Sequence, residues 1–175
     1  PMSSGALRWN AETAAFVVHP PLGKWTIAVG EYLFGMTPFG WRFAVAVLGT
    51  LSILMVARIT RRLTRSDLIG TLAGLLLAVE GMHLVLSRTG LLDLILMFWV
   101  LAAFGLLLLD RDRTRRLLAE RVSRDGIDAM ATEWGPRLGL RPYRWAAAVA
   151  LGLACSVKWS GLWFLAFFAI MSVVW

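Results

Sequence analysis

Apolar runs broken by short polar segments organise this chain. Residues 41–57, 68–86 and 91–109 are long enough, or nearly so, to cross a bilayer, and the 19 residues of 68–86 would reach about 28 Å as a helix. Two shorter runs, 145–157 and 162–175, flank Ser156-Val157-Lys158-Trp159-Ser160-Gly161, so that 145–175 reads as one span or two. Near the start, Leu22, Trp25, Ala28, Val29, Tyr32 and Leu33 fall at helical spacing after His19-Pro20-Pro21, with Lys24 and Glu31 on another face. That segment is too short and too polar to span, and it predicts an amphipathic helix in the membrane interface. The pattern predicts an all-α polytopic membrane protein of about four to five spans plus one interfacial helix.

Composition agrees. Apolar residues make up 58% of the 175 and charged residues 17%, with a mean hydropathy of +0.68. A soluble domain does not hide that much apolar surface. The net charge of +7 does not describe a nucleic-acid binder, because the basic residues sit between the apolar runs. Four Arg lie in 58–67 and nine in 110–144, whereas Arg8, Lys24, Arg42, Arg88 and Lys158 are all that remain elsewhere. The positive-inside rule therefore makes the two Arg-rich segments, 58–67 and 110–144, cytoplasmic loops. Residues 1–18 form an extracytoplasmic loop, 19–39 the His-Pro-Pro segment and interfacial helix, and 40–175 the transmembrane part. His19-Pro20-Pro21, Ser87-Arg88-Thr89-Gly90 and the Lys158 segment then meet on the outer face of the cell membrane.

This convergence selects the residues able to do chemistry. Glu80 and His83 lie three apart in an apolar span, with Ser87 at the next turn; ionisable groups there mark function or a hydrogen-bonded helix lock. Asp93 begins the next span, where it can cap the helix or pair with Arg88. Lys24, Arg42, Arg88 and Lys158 are outward cations that oppose the usual charge bias and suit an anionic ligand such as a lipid phosphate. His19 completes the set. Cys155, the only cysteine, fits a small buried residue. No phosphate-binding glycine loop, zinc motif, nucleophile elbow or metal-ligand cluster is present, so no cofactor or metal is expected. Gly70 and Gly74 form a GxxxG that favours close helix packing or helix–helix association.

Four short segments, in order, resemble the protein O-mannosyltransferases. They are His19-Pro20-Pro21-Leu22-Gly23-Lys24, Pro38-Phe39-Gly40-Trp41-Arg42-Phe43, the stretch from Glu80-Gly81-Met82-His83 to Ser87-Arg88-Thr89-Gly90-Leu91-Leu92-Asp93, and Ser156-Val157-Lys158-Trp159-Ser160-Gly161. The Arg-, Ala- and Leu-rich composition is similar to the actinobacterial branch. The resemblance implies a GT-C-type helix bundle that moves mannose, with inversion, from polyprenyl-phosphate mannose to Ser or Thr hydroxyls of exported proteins. It assigns Arg42 and Lys158 to the donor phosphate, with His19, Lys24, Glu80, His83, Arg88 and Asp93 as further residues of the substrate site. The family's catalytic acid belongs to an Asp-Glu pair upstream of the His-Pro-Pro motif, and Glu12, alone before His19, does not match it. The first span, that pair and the later spans are thus expected to lie outside these 175 residues, which alone should be inactive; robust turnover by them would overturn this.

Three other readings remain open at this level. One is a GT-C transferase of another lipid-linked sugar. Another is a transporter segment using Glu80 and His83 as a proton path. The third is a non-catalytic scaffold assembled through Gly70 and Gly74.

Overall fold

The structure is a computed structural model that describes residues 18–127 and 139–174; Glu12 lies outside the described residues. Every regular element among the described residues is a helix, as the apolar pattern requires. They run α1 Leu22–Phe34, α2 Pro38–Thr64, α3 Asp67–Val79, α4 Gly81–Thr89, α5 Leu92–Asp125, α6 Pro142–Val157 and α7 Gly161–Val174. In lipid, helices satisfy every backbone donor and acceptor internally, which is why an apolar chain resolves into them.

Two helices, α2 and α5, are each long and apolar enough to cross a membrane. Thr37 opens α2 by accepting the Gly40 N–H, and Pro38 occupies the first turn, where its missing N–H costs nothing. The 34 residues of α5 make about 51 Å of helix, so it leaves the apolar layer near Asp110 and continues as a charged helix to Asp125.

The run 68–86, read from sequence as one span, is two helices bent by 60° at Glu80. Glu80 adopts an extended backbone and its carboxylate accepts the N–H groups of Met82 and His83, at 3.0 and 2.6 Å. It is the N-cap of α4, and this cap satisfies donors that the break would otherwise leave bare. The expected turn at 87–90 contracts accordingly, because α4 stays helical to Thr89 and only Gly90, with φ of 67°, and Leu91 turn the chain.

Residues 145–174 form two helices. The antiparallel pair α5–α6 is bracketed by ion pairs, Asp110 with Arg141 at one end and Asp93 with Lys158 at the other. Between them lies the core: Leu94, Ile95, Ala103 and Leu107 of α5 meet Ala147, Ala150, Ala154 and Val157 of α6, with Val45 of α2 and Phe168 of α7 closing the two ends. The alanines let the helix backbones approach closely. α7 returns along α6, and its Phe168 stacks on Phe104 with centroids 5.9 Å apart.

Gly70 and Gly74 press α3 against Ala57 and Arg61 of α2, in close packing of the kind a GxxxG permits. The remaining outward surface carries exposed large apolar residues such as Leu72, Leu76, Phe167 and Ile170, as a lipid-facing surface does.

The two bracketing pairs differ in burial. The Asp110 side chain is 5% exposed and that of Asp93 50%. Replacing Asp110 by Ala should strand Arg141 and cost about 3 kcal/mol, whereas Asp93→Ala should cost less than about 1 kcal/mol. Equilibrium unfolding in detergent micelles measures both, and equal losses would contradict this.

Candidate functional site

α1 gathers the polar residues of the Arg-poor end. Gly23 and Gly30, both buried, lie seven residues apart on one face of α1, about 10 Å along the helix. A Cβ on Gly23 would run into Leu92 and press on Val157, the neighbours of Asp93 and Lys158. A Cβ on Gly30 would collide with the Gly40 carbonyl, two residues before Arg42. α1 therefore lies across the ends of α2, α5 and α6. Pro21 precedes it in the N-cap position, its carbonyl accepting the Trp25 N–H at 3.0 Å.

At the α2 side, Arg42 is exposed and its guanidinium carbon stands 4.6 Å from the centroid of the Trp41 ring. Stacking orients the cation without neutralising it. Gly90 supports the platform: its left-handed backbone lies against the Trp41 ring, where a Cβ would come within 2.9 Å. Below Arg42, an open groove of about 430 Å³ runs along α2 past Phe39, Phe43, Ala46, Val47 and Leu51. Phe34, Phe39 and Phe43 pack edge-on or tilted, with centroids 4.6 to 5.9 Å apart, and fix the α1–α2 corner. The result is one cation at the head of a long apolar furrow.

At the α6 side, Lys158 follows the last helical residue, and its Nζ donates to Asp93 Oδ1 at 2.7 Å. Asp93 thus pairs with Lys158 rather than with Arg88. Arg88 and Lys24 are exposed, and neither has an ion pair among the described residues. His19 sits beside α1 with Nδ1 buried and unpartnered among the described residues. No hydrogen bond or ion pair joins Arg42 to Lys158; α1 bridges the two points.

Glu80 and His83 do not form an exposed pair in one helix. Glu80 caps α4, while His83 is buried and its Nε2 lies 2.9 Å from Ser52 Oγ of α2. Ser52 Oγ donates to the Gly49 carbonyl at 2.7 Å, so it accepts from Nε2–H of His83. This lock sets α4, through Ser87 and His83, against Gly49 of α2. Ser52 and Trp41 were not singled out from sequence. A lone serine on the same helical face as Gly49 was the available signal for the first, and an aromatic immediately before an outward Arg for the second.

The chain matches the family described as dolichyl-phosphate-mannose-protein mannosyltransferase over residues 18–122. A polyprenol-phosphate-mannose–protein mannosyltransferase of Mycolicibacterium smegmatis (strain MKD8) is 50% identical over 160 residues, covering 90% of this chain and 30% of the relative. One of the same description from Mycobacterium tuberculosis (strain ATCC 25618 / H37Rv) is 50% identical over 162 residues, with the same coverage. A weaker and partial likeness, 37% over 102 residues, covers 57% of this chain and 19% of an undecaprenyl phosphate-alpha-4-amino-4-deoxy-L-arabinose arabinosyl transferase of Pseudomonas aeruginosa (strain LESB58). The chain spans about 30% of the length of the mycobacterial relatives. No solved structure matches it.

Ser52→Ala should leave the buried His83 donor unpaired and cost about 1–3 kcal/mol, and His83→Leu/Ser52→Ala should recover part of it. Unfolding of the single and double variants tests this; additive losses would show that the pair is not a lock. The four motifs, the helical bundle that brings them to one end and the match over most of its length place this chain in the dolichyl-phosphate-mannose-protein mannosyltransferase family.

Proposed function

We propose that this chain carries the donor-binding part of a membrane mannosyltransferase, which moves mannose from polyprenyl-phosphate mannose to Ser or Thr hydroxyls of exported proteins. The observation that carries the reading is the furrow on α2, with a stacked, unneutralised Arg42 at its head and an apolar floor behind it. Polyprenyl-phosphate mannose has that polarity: a phosphodiester head with one negative charge on a long apolar tail. By the positive-inside rule the Arg-rich end faces the cytoplasm, so the furrow opens on the extracytoplasmic side of the plasma membrane.

The chemistry follows from charge. As the acceptor hydroxyl attacks the anomeric carbon, negative charge grows on the departing phosphate. A guanidinium already in place stabilises it without reorganisation. Arg42 fills this role in the proposal, its planar fork suiting phosphate oxygens. Lys158 has three donors; one is held by Asp93, which orients the ammonium and leaves two for a phosphate. His19, Lys24 and Arg88 surround the headgroup at greater remove. Inversion requires a base on the opposite face of the sugar, and the family resemblance assigns that carboxylate to sequence before His19. Both Glu80 carboxylate oxygens are engaged in capping α4.

The test is an assay of the full-length protein in membranes, following labelled mannose from polyprenyl-phosphate mannose to a Ser/Thr-rich peptide. Arg42→Ala should lower transfer about a hundredfold, with Arg42→Lys recovering only part. Lys158→Ala should also lower it, and Gly90→Ala should weaken donor use by displacing Trp41. Transfer that survives both Arg42→Ala and Lys158→Ala would remove the site assignment. The partial likeness to the arabinosyl transferase favours a second reading, transfer of another polyprenyl-linked sugar. Competition between lipid-linked sugars separates the two.

A further inference from the structure

The Arg-rich end holds a second two-part cavity that the transfer reaction does not use. Between α2 and α5 a groove of about 430 Å³ is lined by apolar side chains including Met55, Ile59 and Leu101, with Gly105 opening its floor. Arg58 and Arg62 are the only charged residues of that lining. Arg62 also lines an adjoining polar cleft of about 380 Å³ with Arg65, Arg115 and Arg116, where Asp112 is the only acid. Arg62 is thus the seam between an apolar slot and a cationic pocket.

The local electrostatics are unbalanced. Arg58 and Arg62 are four residues apart on one face of α2, where like charges repel. Arg62 gives its Nε–H to Asp112 at 2.6 Å, which leaves the two terminal nitrogens of its fork. Arg58 is exposed and has no hydrogen bond or ion pair among the described residues. An anion between the two guanidiniums would relieve the repulsion. The depth is that of the membrane surface, since α5 turns from apolar to charged at Asp110, next to the groove residues Leu108 and Leu109.

We infer that this cavity binds an anionic diacyl phospholipid, its phosphate between Arg58 and Arg62 and one acyl chain in the slot toward Gly105. Charge complementarity selects the headgroup, and the adjoining apolar slot selects a lipid over a soluble phosphate. The inference is independent of the sugar donor and of the site around Arg42.

Native mass spectrometry of the full-length protein in detergent, titrated with phosphatidylglycerol or phosphatidylcholine of matched chains, tests it. Phosphatidylglycerol should bind at least about tenfold more tightly, and Arg58→Gln, which breaks no contact, should cost about fivefold of that preference. Gly105→Leu should reduce uptake of both lipids by filling the slot, while Arg124→Gln, outside the cavity, should change nothing. Equal binding of the two lipids, or a preference that survives Arg58→Gln, would overturn the inference. So would a thiol-attached photocrosslinker on Gly105→Cys that captures protein rather than lipid.

Discussion

The exclusion of unpaired charge from an apolar layer sets the frame of this molecule. Asp110 lies seventeen positions after Asp93 along α5, and Lys158 seventeen after Arg141, the two residues that flank α6. At 1.5 Å per residue that is about 26 Å on each helix, close to the thickness of a hydrocarbon core. The two ion pairs therefore tie the antiparallel helices together near both borders of the layer; between them α5 is apolar or small throughout, and on α6 the one charge is Arg144, one turn in from Arg141, which donates to the Ser172 carbonyl. A slip of one turn would drag a charge into lipid and pull both pairs apart. The register of α5 and α6, and so the position of the Lys158 turn, is held by a cost rather than by an attraction.

The broken helix α3–α4 obeys the same constraint on its backbone. Exposed N–H groups at the bend are tolerated because Glu80 supplies acceptors from its own side chain. The bend changes what α4 touches. His83 turns into α2 and finds Ser52, and Gly90 ends up against Trp41. An intramembrane acid that read as a candidate reactive group is thus the device that aims the following residues at the site end of the bundle.

Much of this was legible in the sequence. The apolar runs gave the spans because transfer to lipid is a property of composition over a window, and the Arg asymmetry separated the two ends of the bundle. The convergence of the His-Pro-Pro segment, Gly90 and Lys158 followed from counting crossings. What was not legible needed geometry between distant residues. Asp93 had a local partner in view, Arg88, five positions before it, yet its partner is Lys158, 65 positions later. The role of Glu80 hinged on one backbone angle, since the same carboxylate inside a straight helix would have pointed into lipid. Ser52 looked like an ordinary small residue of a span until His83 was set against it.

The two ends use arginine in opposite ways, and this explains why Arg42 stands out among so many. At the Arg-rich end, acids are interleaved: Asp67 meets Arg61 at 2.5 Å, Asp112 meets Arg62, and Asp110 meets Arg141. At the other end the described acids are three: Asp93 is held by Lys158, Glu80 caps α4, and Glu31 on α1 makes no ion pair among the described residues. Among the described residues Arg42 has the Trp41 face and no carboxylate partner. A carboxylate partner would have stabilised the resting side chain, and an arriving phosphate would then have had to displace it. An aromatic ring holds the guanidinium in place with its hydrogen-bonding edge open. With no carboxylate on it among the described residues, Arg42 fits the role proposed for it, a cation kept ready for a ligand whose charge comes from outside the chain.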